Sequence, residues 1–190
     1  RFITNMLRPR VIPCLLWKND GLVKTRQFRN PVYLGDAINA IKIFNEKEVD
    51  ELMVLDISAS KENREPDYAL IEQFASECYM PLTYGGGVRT VQQAQRIFAS
   101  GVEKICVQTA ALDNLQLVRQ LADRFGSQSI MVSLDIKKDW LGRAKAFAAA
   151  QGKTLSTDWL QLLEDLVGAG AGEVLLNAIN KDGTLSGPDL

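Results

Sequence analysis

Three aspartates sit at the ends of apolar runs: Asp56 closes Glu51–Asp56, Asp135 closes Ile130–Asp135, and Asp182 lies just beyond Glu173–Ala178. Carboxylates at the carboxyl ends of strands gather round the mouth of a barrel, where each can act as acid, base or hydroxyl ligand. The competing reading for any one of them is capping of a loop or helix. Gly85-Gly86-Gly87 directly follows another apolar run and precedes a helix that Thr90 can cap. Such glycines let a backbone approach an anion, and a helix N-terminus offers free N–H groups, so phosphate suits this pattern. The alternative is a tight turn. Gln108-Thr109-Ala110 ends the next run and can complete the same cradle. Lys24 lies in a long basic segment and reads either as a phosphate contact or as solvated charge.

The opposite ends of the runs are also charged. Arg10 precedes the first, Glu51 opens the second, Lys104 opens the fourth and Glu173 opens the sixth. Two cations and two anions at strand N-termini can converge on a barrel axis as a salt-bridged ring, usually a matter of stability at that end.

The elements that must hold these residues follow from periodicity. Val11–Leu16, Glu51–Asp56, Met80–Tyr84, Lys104–Gln108, Ile130–Asp135 and Glu173–Ala178 are nearly continuous in apolar residues, the pattern of parallel strands covered on both faces. Between them run amphipathic helices with good punctuation. Asp36 caps Ala37–Asn45, Pro66 starts Asp67–Cys78, and Thr90 caps Val91–Ala99. Asp113 caps Asn114–Phe125, and Thr157 or Asp158 caps a helix reaching Val167. Strict β-α alternation predicts an α/β fold with a parallel sheet, either doubly wound or a (βα)8 barrel. A full barrel typically needs about 250 residues. The 190 residues reach just past a sixth strand, so a barrel would be represented by its first six strands, roughly three quarters. Residues 1–5 read as extra to a natural Met6 start, and 6–190 as one domain incomplete at its C-terminus. Two insertions, Trp17–Leu34 and Lys137–Thr154, follow the first and fifth strands, where barrel enzymes build their sites.

Composition excludes much. There is no histidine, so no Ser-His-Asp triad, Cys-His dyad or histidine metal site is possible. Cys14, Cys78 and Cys106 are odd in number and far apart, which argues against a disulfide framework and a cysteine zinc site. Neither metal nor cofactor is expected. The net charge of −1 argues against a broadly nucleic-acid-binding protein, and no apolar run approaches a membrane span. A cytoplasmic location with reduced thiols is the expectation.

The motifs Asp50–Ser60 (DELMVLDISAS), Tyr84–Val88 (YGGGV), Gln108–Ala111 (QTAA), Gly126–Gln128 (GSQ), Gly170–Glu173 (GAGE) and Asp182–Gly187 (DGTLSG) together resemble one family. It is the cyclase subunit of imidazole glycerol phosphate synthase, a (βα)8 barrel. The resemblance runs from Met6 to Leu190. It implies a glutaminase partner at the N-terminal face of the barrel. It also implies ammonia crossing the barrel, and a bisphosphorylated ribonucleotide cyclised at the C-terminal face by two aspartates. One of these matches Asp135. The other ends the first strand in the family's CLD motif, but this sequence reads Cys14-Leu15-Leu16, and leucine cannot transfer a proton. By the same resemblance Gly86, Gly87, Gln108 (asparagine in the family) and Thr109 contact phosphate. Lys24, Asp56 and Asp182 line the active site, and Arg10, Glu51, Lys104 and Glu173 form the ammonia gate. The family's second phosphate site belongs to strands seven and eight. The lost aspartate and the stretch Phe44–Leu52 (FNEKEVDEL) are similar to a divergent paralogue found beside surface-polysaccharide genes. That similarity implies a non-cyclising subunit that channels ammonia to a separate sugar amidotransferase.

Overall fold

The computed structural model describes residues 9–187 and 189. The expected extra residues 1–5 and the Met6 start lie outside the described residues. Six parallel strands form the wall: β1 (Cys14–Lys18), β4 (Leu52–Asp56), β5 (Leu82–Gly85), β6 (Lys104–Val107), β7 (Ile130–Lys138) and β10 (Glu173–Ala178). They pair in that order, each parallel to the next. Alternate residues point to opposite faces. Leu52, Val54, Ile105, Ile130, Val132 and Leu134 face outward into the main core under the helices. Met53, Cys106 and Met131 face inward and pack with Ile12, Leu55 and Leu175 as a second, small apolar cluster inside the wall. The architecture is therefore the expected α/β barrel wall. Among the described residues β1 and β10 do not pair, so the barrel is not closed.

The helices begin where short polar side chains satisfy free N–H groups. Asp36 accepts from Asn39 N ahead of α1 (Ala37–Glu46), Thr90 from Gln93 N ahead of α3 (Val91–Ala99), and Asp158 from Leu160 N and Gln161 N ahead of α6 (Trp159–Gly168). Each such cap contributes about 1 kcal/mol. Two expected starts are corrected. Asp67, not Pro66, governs α2 (Tyr68–Glu77), because its carboxylate accepts from Leu70 N. Asn114, not Asp113, caps α5 (Leu115–Phe125), because Asp113 is taken up as the last residue of a short helix, α4 (Thr109–Asp113).

The two insertions are strands rather than loops. β2 (Gly21–Arg26) folds back antiparallel on β1, and β3 (Arg29–Gly35) pairs antiparallel with β2 at the edge. Both turns place two consecutive residues at positive φ: Asn19 at 47° and Asp20 at 63°, then Gln27 at 52° and Phe28 at 60°. That backbone matches the twist of tight hairpins. β7 runs on into the second insertion and pairs antiparallel with β8 (Ala144–Ala148), which pairs with β9 (Lys153–Thr154). The open side between β1 and β10 is bridged at both ends. Gln27 N donates to Asp182 O at 3.0 Å near the top, and Arg10 Nη2 donates to Glu173 Oε1 at 2.9 Å at the bottom.

Candidate functional site

The inner side chains form layers along the barrel axis. The lowest holds Arg10, Glu51, Lys104 and Glu173, all four charged groups in one ring. Arg10 Nη1 donates to Glu51 Oε1 at 2.9 Å, Arg10 Nη2 to Glu173 Oε1 at 2.9 Å, and Lys104 Nζ to Glu173 Oε1 at 2.7 Å. Lys104 Nζ also bonds Glu51 Oε1. Burial alone would raise the Glu173 carboxyl, but Lys104 and Arg10 hold it below the usual range. The other oxygen of Glu51, Oε2, is buried without a hydrogen-bond partner among the described residues. The apolar layer of Met53, Cys106 and Met131 lies above.

Above that layer a cavity of about 320 Å³ opens at the carboxyl ends of the strands. Leu16, Asp56, Gly86, Gly87, Gln108, Thr109, Asp135 and Asp182 line it. Lys24 does not. Its side chain is exposed on β2, opposite Val32, because the pleat turns the neighbouring Thr25 inward instead. Lys61 is the one cation among the described residues that line the cavity. Thr25, Phe28, Lys61, Ser133 and Asn177 belong to the site and were not picked out from sequence. Ser133 and Asn177 carried a signal, since each keeps the inward parity of Asp135 and Glu173 along its strand.

The three aspartates have different tasks. Asp56 Oδ1 accepts from Ser58 N at 2.9 Å, Ser58 Oγ at 2.9 Å and Ala59 N at 3.0 Å, and Oδ2 pairs with Arg64 Nη2 at 3.2 Å. It organises the β4–α2 loop. Asp182 Oδ2 accepts from Thr25 Oγ1 at 2.8 Å and from Phe28 N at 3.0 Å, tying the β2–β3 hairpin to the loop after β10. Asp135 faces the cavity between two amides. Asn177 Nδ2 donates to Oδ1 at 2.8 Å, and Gln108 Nε2 to Oδ2 at 2.6 Å. Burial pushes the Asp135 carboxyl above its ordinary value, against the pull of these two donors. It is the aspartate of the three whose partners are neutral amides from the cavity wall.

The glycines fit tightly. A Cβ on Gly86 would stand 2.5 Å from Asp56 O, and one on Gly87 would stand 2.8 Å from Arg64 O; both residues have positive φ. The expected helix N-terminus is used differently. Gln93 Oε1 accepts from Arg89 N at 2.8 Å while Thr90 Oγ1 accepts from Gln93 N at 3.1 Å. This reciprocal cap takes Gln93 N in the first turn of α3 and Arg89 N just before it, and neither Arg89 nor Thr90 lines the cavity. Gly86, Gly87 and Thr109 do line it. Burial raises the Cys106 thiol, so it is not a thiolate nucleophile at neutral pH. Among the described residues no cluster of three or more metal-ligating side chains occurs, and no helix is long and apolar enough to cross a membrane.

Residues 10–190 match the model of a family described as histidine biosynthesis protein. The chain is 52% identical over 187 residues to a Pseudomonas aeruginosa protein named "Putative imidazole glycerol phosphate synthase subunit hisF2", covering 97% of this chain and 73% of that one. It is 50% identical over 189 residues to "Putative imidazole glycerol phosphate synthase subunit hisF3" of Vibrio vulnificus, covering 99% and 73%. A Streptococcus gordonii protein named "Imidazole glycerol phosphate synthase subunit HisF" is 39% identical over 185 residues, covering 97% and 73%.

Proposed function

The chain belongs to the histidine biosynthesis protein family, as a barrel of the imidazole glycerol phosphate synthase cyclase-subunit kind, and from that membership we propose that it is the ammonia-accepting barrel of a glutamine amidotransferase complex. The observation that carries the reading is the layering along the axis. A four-membered ion-pair ring closes the bottom, an apolar interior follows, and a single amide-held carboxylate stands at the top. Neutral ammonia enters an apolar passage at far lower cost than ammonium, because burying an unpaired charge is expensive. A ring that excludes water and ions but can part at one ion pair suits that traffic. Arg10 is the most exposed member, with its side chain 46% accessible against 13% for Lys104. A glutaminase docking at this face would meet Arg10 first. At the other end the cavity takes a phosphorylated small molecule, its phosphate against Gly86, Gly87 and Thr109.

A second reading is favoured by Leu16. Ring closure in the family uses two aspartates, and the cavity offers Asp135 facing an apolar Leu16. Asp20 does not fill the role, since it is exposed in the β1–β2 turn and is not among the residues lining the cavity. Asp56 and Asp182 are committed to loop contacts. Loss of a positioned acid or base lowers rate by about 10²–10⁴. On this reading the barrel delivers ammonia to a separate amidotransferase that modifies a sugar. The test supplies ammonium salt and the family's ribonucleotide to the protein and to Leu16→Asp, and follows imidazole glycerol phosphate. Turnover by the unmodified chain supports the cyclase reading. Turnover by Leu16→Asp alone, with glutaminase activation retained by both, supports the conduit.

A further inference from the structure

We infer that the β2–β3 and β7–β8 hairpins form one docking surface for an acidic protein, the enzyme that receives the ammonia. The inference rests on the conduit reading, because ammonia that leaves into water is protonated and lost unless its acceptor sits at the mouth. Four observations carry it.

The first is charge. Residues 17–34 and 137–154 hold nine lysines and arginines against two aspartates, in a chain whose net charge is −1. Both segments rise from the carboxyl ends of strands, so the excess is gathered at the end of the barrel where the cavity opens. Among the described residues, Arg26, Arg29 and Lys153 are exposed, and the ion pairs found do not include them.

The second is contiguity. Both hairpins are fastened to the same turn after β10. Asn180 accepts from Gln27 Nε2 on its main-chain oxygen at 3.1 Å and from Lys138 N on Oδ1 at 2.8 Å.

The third is a preorganised apolar anchor. Trp140 is 89% exposed and Leu141 53% exposed at the tip of the second hairpin. The tip is not loose. Asp139 Oδ1 accepts from Leu141 N and Arg143 N, each at 2.9 Å, and its Oδ2 accepts from Arg143 Nε at 2.9 Å. On the first hairpin Tyr33 is 67% exposed. Rigid exposed aromatics flanked by cations are what protein interfaces use as anchors.

The fourth is what these groups do not touch. Neither Trp140, Tyr33 nor any of the nine cations lines the cavity. A small phosphorylated ligand has no use for an indole held away from its pocket. A basic field with an aromatic anchor suits an acidic protein surface, and the field would also speed its encounter.

The test is a titration of the full chain with a synthetic peptide of about 20 residues, the number one side of an interface supplies, in which Asp and Glu are interspersed with Leu and Tyr. Binding is expected to weaken at least about tenfold in Arg26→Glu/Arg29→Glu and about tenfold in Trp140→Ala, each at unchanged thermal stability. It should also weaken between low and high salt, as screening removes the field. Wild-type affinity in both variants, or no binding, overturns the surface. Equal binding of polyglutamate or of a single-stranded oligonucleotide overturns the partner's chemistry, since charge alone would then suffice. Ribonucleotide turnover by the unmodified chain overturns the conduit reading in a separate assay, whatever the titration gives.

Discussion

Asn177 holds Oδ1 of Asp135 at 2.8 Å, from the strand that pairs directly with Asp135's own, with the two residues opposite one another in the register. With Gln108 on the other oxygen, the carboxylate is fixed in plane by two neutral donors. Burial, the larger effect, still raises its proton affinity. The sign for stability follows. The folded carboxyl binds its proton more tightly than the unfolded one, so stability falls as pH rises above the ordinary aspartate value of about 3.9 toward the raised one. Asp135→Asn cannot ionise and escapes this loss. Its melting temperature relative to the parent should therefore improve as pH rises from 4 to 8 and converge with it at the acid end. Parallel curves would mean the folded carboxyl carries no such penalty. On the cyclase reading, imidazole glycerol phosphate formation by Asp135→Asn should be lost at all pH values.

The ion-pair ring predicts unequal costs for its two cations. Lys104 is held between Glu51 and Glu173 with its side chain 13% accessible, whereas Arg10 is 46% accessible. Removing one partner of a buried pair leaves the other charge unpaired, at about 3–5 kcal/mol, while an exposed pair contributes about 0–1 kcal/mol. Lys104→Met should thus destabilise by about 3 kcal/mol in urea unfolding, and Arg10→Ala by about 1 kcal/mol or less. Equal costs would contradict the ring's asymmetry.

The β4–α2 loop should be as sensitive as a core position. Asp56 accepts two backbone N–H groups and a hydroxyl and pairs with Arg64 while itself buried. Asp56→Ala would strip those partners at about 2–4 kcal/mol. Gly86→Ala acts from the other side, because its Cβ would stand 2.5 Å from Asp56 O and 3.1 Å from its Cα at φ 125°. Backbone on one side and a disfavoured φ on the other leave little room to yield, so about 1–3 kcal/mol is expected. The two substitutions should be less than additive, since both disturb the same loop. Independent, additive losses in a double-mutant cycle would separate the glycine from the aspartate.

The six wall strands were legible because both faces of each are buried, which leaves continuous apolar runs. Arg10, Glu51, Lys104 and Glu173 were legible as charges at strand N-termini, the ends that converge on one inner layer. The hairpins were not legible as strands. Gly21–Gly35 lies at an edge, with β3 mostly exposed, so its residues show neither a clean alternation nor an apolar run. The tight turns that define it use Asn19-Asp20 and Gln27-Phe28, and the second pair lacks the usual asparagine or glycine. Lys24 was placed in the site by the resemblance alone, and the pleat of β2 turns Thr25, not Lys24, toward the cavity. Thr109 was read as a strand end because helix α4, only five residues long, is too short to show a helical period. The cap at Thr90 was legible from its residue type, but the second bond, from Arg89 N to Gln93 Oε1, depends on a side-chain rotamer that spacing alone does not fix.

The tie between Asp182 and the β2–β3 hairpin predicts a local rather than a global effect. Asp182 Oδ2 takes the Thr25 hydroxyl and the Phe28 N–H, and these bonds hold the hairpin tip over the cavity and across the open side of the wall. Arg26 and Arg29, which flank that tip, are exposed trypsin sites. In Asp182→Ala both bonds to the side chain vanish, while Gln27 N still reaches the Asp182 carbonyl. Two lost hydrogen bonds correspond to about 1–3 kcal/mol, which raises the population of the open hairpin about tenfold or more. Limited trypsin digestion should therefore cut between residues 26 and 30 about tenfold faster than in the parent. The melting temperature of the wall should change little, since the core under the helices is untouched. Asp182→Asn, which keeps one acceptor oxygen, should restore most of the protection. Cleavage at the parent rate in Asp182→Ala would mean that the strand pairing alone holds the hairpin down.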